Sequence, residues 1–278
     1  MFEKLTGNIW RYHDQTGSTS YLIVGETRAA MIDCGAIACP LMDEIRAITP
    51  LPVDLLLTHA HPDHYGAAAE FDSVYLHEGD IAALPVFEEA FALMGVAPLS
   101  RDTLHPLADG QVFDLGGLHL TACELIGHTP GSTVFICEEA SCIFSGDAVG
   151  SGDIVLMSVP QASNQRDFRA SLLAFLERTA PYADYVWLAG HYHQAQRENG
   201  ESNPPCRALC EDMAALCQAL VEGSLLGRCE SILIFRVAVA QEIPRRACPL
   251  RHCVGFTLCV AATAGALCIH PIGNLCKR

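Results

Sequence analysis

Four short apolar runs in this chain each break off at a histidine or an aspartate: 54–58 before His59, 120–127 before His128, 142–146 before Asp147 and 185–190 before His191. The first opens the cluster His59-Ala60-His61-Pro62-Asp63-His64, so His59, His61, Asp63, His64, His128, Asp147 and His191 form a set of seven candidate metal ligands. Alternate residues of an extended segment point the same way, so His59 and His61 can grip one ion together while Asp63 and His64 serve a second. Imidazole nitrogen and carboxylate oxygen suit two Zn²⁺ ions, with iron or manganese as possible substitutes. Asp147, whose two oxygens can bridge, is the expected shared ligand between cations about 3.5 to 4 Å apart. Water bound to such ions loses a proton near neutral pH, so no serine or cysteine nucleophile is required. One ion can also polarise a scissile carbonyl, and Asp63 is the candidate catalytic residue that carries a proton to the leaving group.

The other histidines, His13, His77, His105, His119, His193, His252 and His270, are read as surface or satisfied core residues. Asp33 fits two readings equally, a turn aspartate before Gly35 or a support for the ligand loop. Cys206, Cys210 and Cys217 share a helix face and are read as core packing, as is the weaker grouping of Cys248 and Cys253 with His252.

Half of the 278 residues are hydrophobic, which supports a packed core, and the formal net charge of -15 argues against nucleic acid as a partner. A small molecule is the expected substrate. The opening residues 1–7 are charged and lack an export pattern, so the body is read as cytoplasmic. The 14 cysteines are accordingly expected to be reduced, with no structural disulfide. Charge divides the chain in two: of 32 acidic residues 30 precede Arg228, whereas residues 228–278 carry seven basic residues and six cysteines. The expected organisation is therefore one domain over 1–227 and a basic, cysteine-rich apolar tail over 228–278. Within the tail, 253–269 is uncharged and slightly short for a bilayer span. Three readings stay open for it: a membrane anchor, a loosely packed appendage, or sequence from a shifted reading frame.

The elements that must position the ligands follow from periodicity. Strands are expected at 21–24, 29–33, 55–58, 74–76, 133–137 and 142–144, with a hairpin of 112–115 and 118–125 around Gly116-Gly117. Helices are expected at 40–48, at 80–94 with a break near Pro85, and at 166–178 and 205–222, the last two amphipathic.

His59-Ala60-His61-Pro62-Asp63-His64, Gly127-His128-Thr129-Pro130-Gly131-Ser132, Ser145-Gly146-Asp147 and Gly190-His191 together resemble the metallo-β-lactamase superfamily over roughly the first 225 residues. The resemblance implies an α/β fold, a four-layer αββα sandwich with the site along one open edge. It implies that His59, His61 and His128 hold one metal, that Asp63, His64 and His191 hold the other, and that Asp147 is shared. It also places Asp33 at a position that supports the metal loop. Zinc β-lactamases of this superfamily commonly have a cysteine at the Asp147 position or lack the bridging carboxylate, so the pattern looks more like glyoxalase II thioesterases and lactonases. Gly150 stands where many lactonases carry tyrosine, and the tail does not resemble a glutathione-binding domain. A flavodiiron reductase would carry a carboxylate at His61. The expected function is a binuclear metal-dependent hydrolase of a small ester, thioester or lactone, and the alternative is a single-iron persulfide dioxygenase-like oxidoreductase. The apolar segment 78–102, with Phe87, Phe91, Leu93 and Met94, is a candidate wall of the pocket.

Overall fold

The computed structural model describes residues 1–14, 17–36, 40–92, 97–150, 154–157, 159–192 and 204–224, together with three short strands beyond. The first sheet takes its seven strands in chain order: β1 (Phe2–Thr6), β2 (Ile9–His13), β3 (Thr19–Val24), β4 (Ala29–Ile32), β5 (Val53–Leu56), β6 (Val74–His77) and β7 (Leu104–Leu107). It is antiparallel through β4 and parallel from there to β7. The parallel strands are joined by crossovers that carry the helices α1 (Leu41–Arg46), α2 (Pro62–Tyr65) and α3 (Glu78–Ala92).

The second sheet contains β8 (Val112–Asp114), β9 (His119–Glu124), β10 (Thr133–Cys137) and β11 (Cys142–Gly146). Ile154–Met157 (β12) lies outside it, and β13 (Val186–Ala189) returns to pair in parallel with β11. The spatial order is β13-β11-β10-β9-β8. Helices α4 (Gln165–Arg178) and α5 (Arg207–Val221) follow the chain on either side of β13.

Side-chain alternation shows how these pieces stack. Tyr21, Ile23, Ala30, Ile32 and Leu56 of the first sheet pack with Leu120, Ala122, Phe135, Cys137, Cys142 and Phe144 of the second. The intervening residues point outward: Leu22, Met31 and Leu55 join Leu41, Ile45, Leu84 and Phe87 of α1 and α3. Likewise Val134, Ile136 and Ile143 join Phe168, Leu172, Met213 and Leu216 of α4 and α5. Both faces of each sheet are thus covered, which is why the central strands read as continuous apolar runs rather than alternating ones. The result is the four-layer αββα sandwich expected from the resemblance.

Several elements differ from expectation. Helix α3 runs unbroken through Pro85. The proline forfeits one backbone hydrogen bond, but Leu84 and Phe87 beside it are fully buried against the sheet and hold the helix together. The edge strand β7 was not anticipated, because Leu104-His105-Pro106-Leu107 is half exposed and carries a proline, which only an edge tolerates. Strands β1 and β2 were also missed. Helix α1 begins after Pro40, and the Glu70 carboxylate accepts from Leu41 N and Met42 N in place of a side-chain cap.

Cys34, Cys123, Cys137, Cys142, Cys206, Cys210 and Cys217 form no disulfides; Cys210 and Cys217 are buried core residues, whereas Cys206 is exposed at the start of α5. Phe87 packs in the core and Leu93 and Met94 lie outside the described residues, as does His193. Of the tail, the described residues form Arg228–Glu230, Ile234–Arg236 and Thr257–Val260, the last paired in parallel with β12; the rest, with His252 and His270, lies outside the described residues. No helix among the described residues is long and apolar enough to cross a membrane.

Candidate metal centre

The ligand-bearing runs end at one edge of the sandwich. β9 and β11 both run antiparallel to β10, and β13 runs parallel to β11, so the loops carrying His128, Asp147 and His191 leave the second sheet at the same end. The loop after β5 brings His59 and His61 to them from the first sheet, and His61 has extended geometry just before α2. Pro62 opens that short helix, where its missing N–H costs nothing, and the turn carries Asp63 and His64. Close approach at this edge demands glycine: a Cβ on Gly190 would sit 2.4 Å from Asp147 Oδ1.

All seven expected residues meet here, in three overlapping groups: His59, His61 and His128; His59, His64 and Asp147; and Asp63, His64 and His191. His61 Nδ1 lies 3.1 Å from His59 Nε2 and 3.0 Å from His128 Nε2. Two nitrogens bound to one tetrahedral zinc at about 2.0 to 2.1 Å stand about 3.3 Å apart, so the spacing suits a shared ion. In the third group, Asp63 Oδ2 lies 3.3 Å from His191 Nε2 and 3.6 Å from His64 Nε2. Asp147 stands between the groups: Oδ2 is 3.2 Å from His191 Nε2 and 3.9 Å from His128 Nε2, and Oδ1 is 3.7 Å from His64 Nε2. Buried His64 Nε2 and Asp147 Oδ1 have no hydrogen-bond partner among the described residues. Such orphaned atoms are costly, and a cation between them would satisfy both. The donor set of imidazoles and carboxylates without thiolate fits zinc, iron or manganese.

Hydrogen bonds behind the ligands fix which ring nitrogen faces the cluster. Asp33, in left-handed backbone at φ 56°, accepts from Thr58 N on Oδ1 and from Thr58 Oγ1 and His64 Nδ1 on Oδ2, each at 2.8 Å. With its proton committed to Asp33, Thr58 Oγ1 can only accept from His59 Nδ1, 3.0 Å away. His59 and His64 therefore both present unprotonated Nε2 when a cation is bound. His191 Nδ1 donates to Gly17 O at 3.3 Å to the same effect. Of the two readings open for Asp33, support of the ligand loop is the one its contacts bear out.

Without a cation the charges divide. Burial, with His128 and His64 nearby, pushes His61 down to about 3, and His59 is likewise held well below its ordinary value by burial and its imidazole neighbours. Burial also opposes charge on His64 and His191, but carboxylates outweigh it. Asp63, Asp33 and Asp147 hold His64 well above the usual range, and Asp147 and Asp63 push His191 up to about 10. Asp147 stays ionised because His191 and His64 overcome the cost of its burial.

Sequence reasoning missed Asp80. Fully buried at the start of α3, it accepts from Ala60 N at 2.7 Å and Thr129 Oγ1 at 3.0 Å on Oδ2, and from Gly131 N at 2.6 Å on Oδ1. Burial outweighs these bonds and pushes its carboxyl up to about 6. An acidic residue in a first helical turn is commonplace, so nothing in its local sequence marked it. His77, read as a satisfied residue, is paired with Glu124 at 2.7 Å.

Comparison with known proteins agrees with this geometry. A family model described as the metallo-beta-lactamase superfamily matches residues 13–191. The chain is 29% identical over 176 residues to hydroxyacylglutathione hydrolase GloC of Haemophilus influenzae, covering 60% of this chain and 81% of that protein. It is 27% identical over 211 residues to the acyl-coenzyme A thioesterase MBLAC2 of Gallus gallus, covering 66% and 75%. Among solved structures, TTHA1623 in a di-iron-bound form aligns with a TM-score of 0.52 and 28% identity, over 64% of this chain and 89% of its counterpart.

Proposed function

From the premise that this chain belongs to the metallo-β-lactamase superfamily, we propose that it is a binuclear metal-dependent hydrolase of small thioesters, with esters and lactones as further substrates. The observation that carries this reading is the pair of ligand groups on either side of Asp147. His59, His61 and His128 would hold one cation, Asp63, His64 and His191 the other, and Asp147 both. Two divalent cations, preferentially zinc, would supply Lewis acidity and an activated water.

The chain's own groups do the rest. Asp33 and Thr58 keep His59 and His64 in the ligating tautomer. Phe87 packs edge-on against His61, ring centroids 5.3 Å apart, and keeps bulk water from that side. The Asp63 side chain is the most open of the site's carboxylates, 38% exposed, and would be the group that passes a proton toward a leaving group. A thiol leaves near neutral pH with less proton assistance than an alcohol, so a single half-open carboxylate suits a thioester best. The thioesterase and hydroxyacylglutathione hydrolase named above support the same substrate class. Domain 1–227 would be sufficient for this chemistry, since it contains every proposed ligand.

The test is metal analysis of the purified protein followed by a screen of acyl thioesters, esters, lactones and β-lactams. Two equivalents of metal and fastest turnover of thioesters are expected. A single iron with oxygen consumption on a persulfide, or no metal at all, would overturn the reading.

A further inference from the structure

We propose that Asp80 is a positioning residue that sets the spacing of the His59, His61 and His128 ring nitrogens, and thereby the affinity of that cation position. The proposal rests on reading the cluster as a metal centre. His59 and His61 come from the first sheet and His128 from the second, so nothing in either sheet alone fixes their separation. The two segments that carry them meet on Asp80. Ala60, from whose N–H it accepts, lies between His59 and His61, and Thr129 and Gly131 follow His128 in the segment from the second sheet. One carboxylate thus ties both halves of the site at their backbones, within one to three residues of the ligating histidines.

The contact is built to be close. A Cβ on Gly131 would lie 2.6 Å from Asp80 N and 2.8 Å from Asp80 Cγ, and a Cβ on Gly79 would lie 2.3 Å from Pro130 O. The start of α3 therefore seats directly on the His128 loop with no room for a side chain between them. A fully buried carboxylate is expensive to desolvate, and its three donors come from the ligand-bearing segments rather than from its own helix. By contrast, His64 and His191 are oriented by Asp33 and Gly17. Asp80 is accordingly expected to govern one cation position and not the other.

The experiment is zinc titration against a chromophoric chelator, with Asp80→Asn placed in two backgrounds. His191→Ala leaves His59, His61 and His128 intact, and His128→Ala leaves Asp63, His64 and His191 intact. In an asparagine the new amide must point a donor at donors, so Asp80→Asn is expected to weaken zinc 10- to 100-fold, roughly the usual effect of an outer contact, in the first background and less than about twofold in the second. Equal weakening in both, or none in the first, would overturn the proposal. Should Asp80→Asn fail to fold, Thr129→Val and Thr129→Ser carry the test: the first removes one donor to Asp80 and is expected to weaken the same site, whereas the second keeps it. Indistinguishable Val and Ser proteins would count against Asp80. A wild-type protein that takes up no zinc removes the underlying reading, and this proposal with it.

Discussion

Replacing Asp33 with asparagine tests the site where its geometry is most constrained. Asparagine tolerates the left-handed backbone that Asp33 adopts, whereas Asp33→Ala would add strain of about 1 to 2 kcal/mol there. The change is therefore confined to the three hydrogen bonds Asp33 accepts, from Thr58 N, Thr58 Oγ1 and His64 Nδ1. An amide offers one acceptor and one donor group. If its oxygen stays on Thr58 N, its NH₂ meets His64 Nδ1, which must then accept; the proton moves to Nε2, the atom that faces Asp63 and Asp147. If the amide turns over, NH₂ opposes the Thr58 N–H. Losing one hydrogen bond to a charged group costs about 1.5 to 3 kcal/mol, and loss of an outer contact to a metal ligand typically costs about 10- to 100-fold in affinity. The two estimates agree, so zinc affinity is expected to fall by about 10- to 100-fold while the fold survives. Competition titration with a chelator reads the affinity, and circular dichroism confirms folding. A folded Asp33→Asn protein that binds zinc as tightly as wild type would refute the argument that Asp33 selects the histidine tautomers.

Further outcomes follow from the same structure. Asp147→Ala removes the group shared by both ligand sets and His59→Ala removes one imidazole; both should lose metal and turnover, and metal analysis of either protein with full activity retained would contradict the site. Dialysis against a strong chelator should abolish thioester hydrolysis and added zinc should restore it, as a steady-state assay will show. Phe144→Ala, deep between the two sheets, should destabilise by about 3 to 5 kcal/mol, visible in chemical denaturation. Asp109 accepts from Glu124 N and Arg178, and although burial pulls the other way these bonds hold its carboxyl below the ordinary range. The unfolded chain therefore takes up its proton first as pH falls, so this contribution is present above the ordinary carboxylate range and is lost on acidification through the folded value. Asp109→Asn should accordingly lower the melting temperature more at pH 7 than at pH 3; an equal loss at both would remove the electrostatic explanation.

The ligand residues were legible in the primary sequence because four of them stand where an apolar run stops, the other three follow His59 within five residues, and strand ends are where chain leaves the core. Most central strands, both amphipathic helices and the hairpin at Gly116-Gly117 were legible for the related reason that burial imposes a local period. Edge strands such as β7 escaped because half-exposed residues carry no such period, and the expected break at Pro85 failed because packing outweighed one lost hydrogen bond. Residue types and spacing thus determined which groups could ligate and which faces were apolar. They left Asp33 balanced between two roles and Asp80 unnoticed. Only the tertiary structure decided that four strands from two sheets deliver their ends to one edge, that Asp33 reaches His64, 31 positions away, and that Asp80 joins Ala60 to Gly131, 20 and 51 positions from it. The physical reason is that periodicity records which side of an element is dry, whereas hydrogen bonds across a folded core join residues whose separation along the chain leaves no local trace.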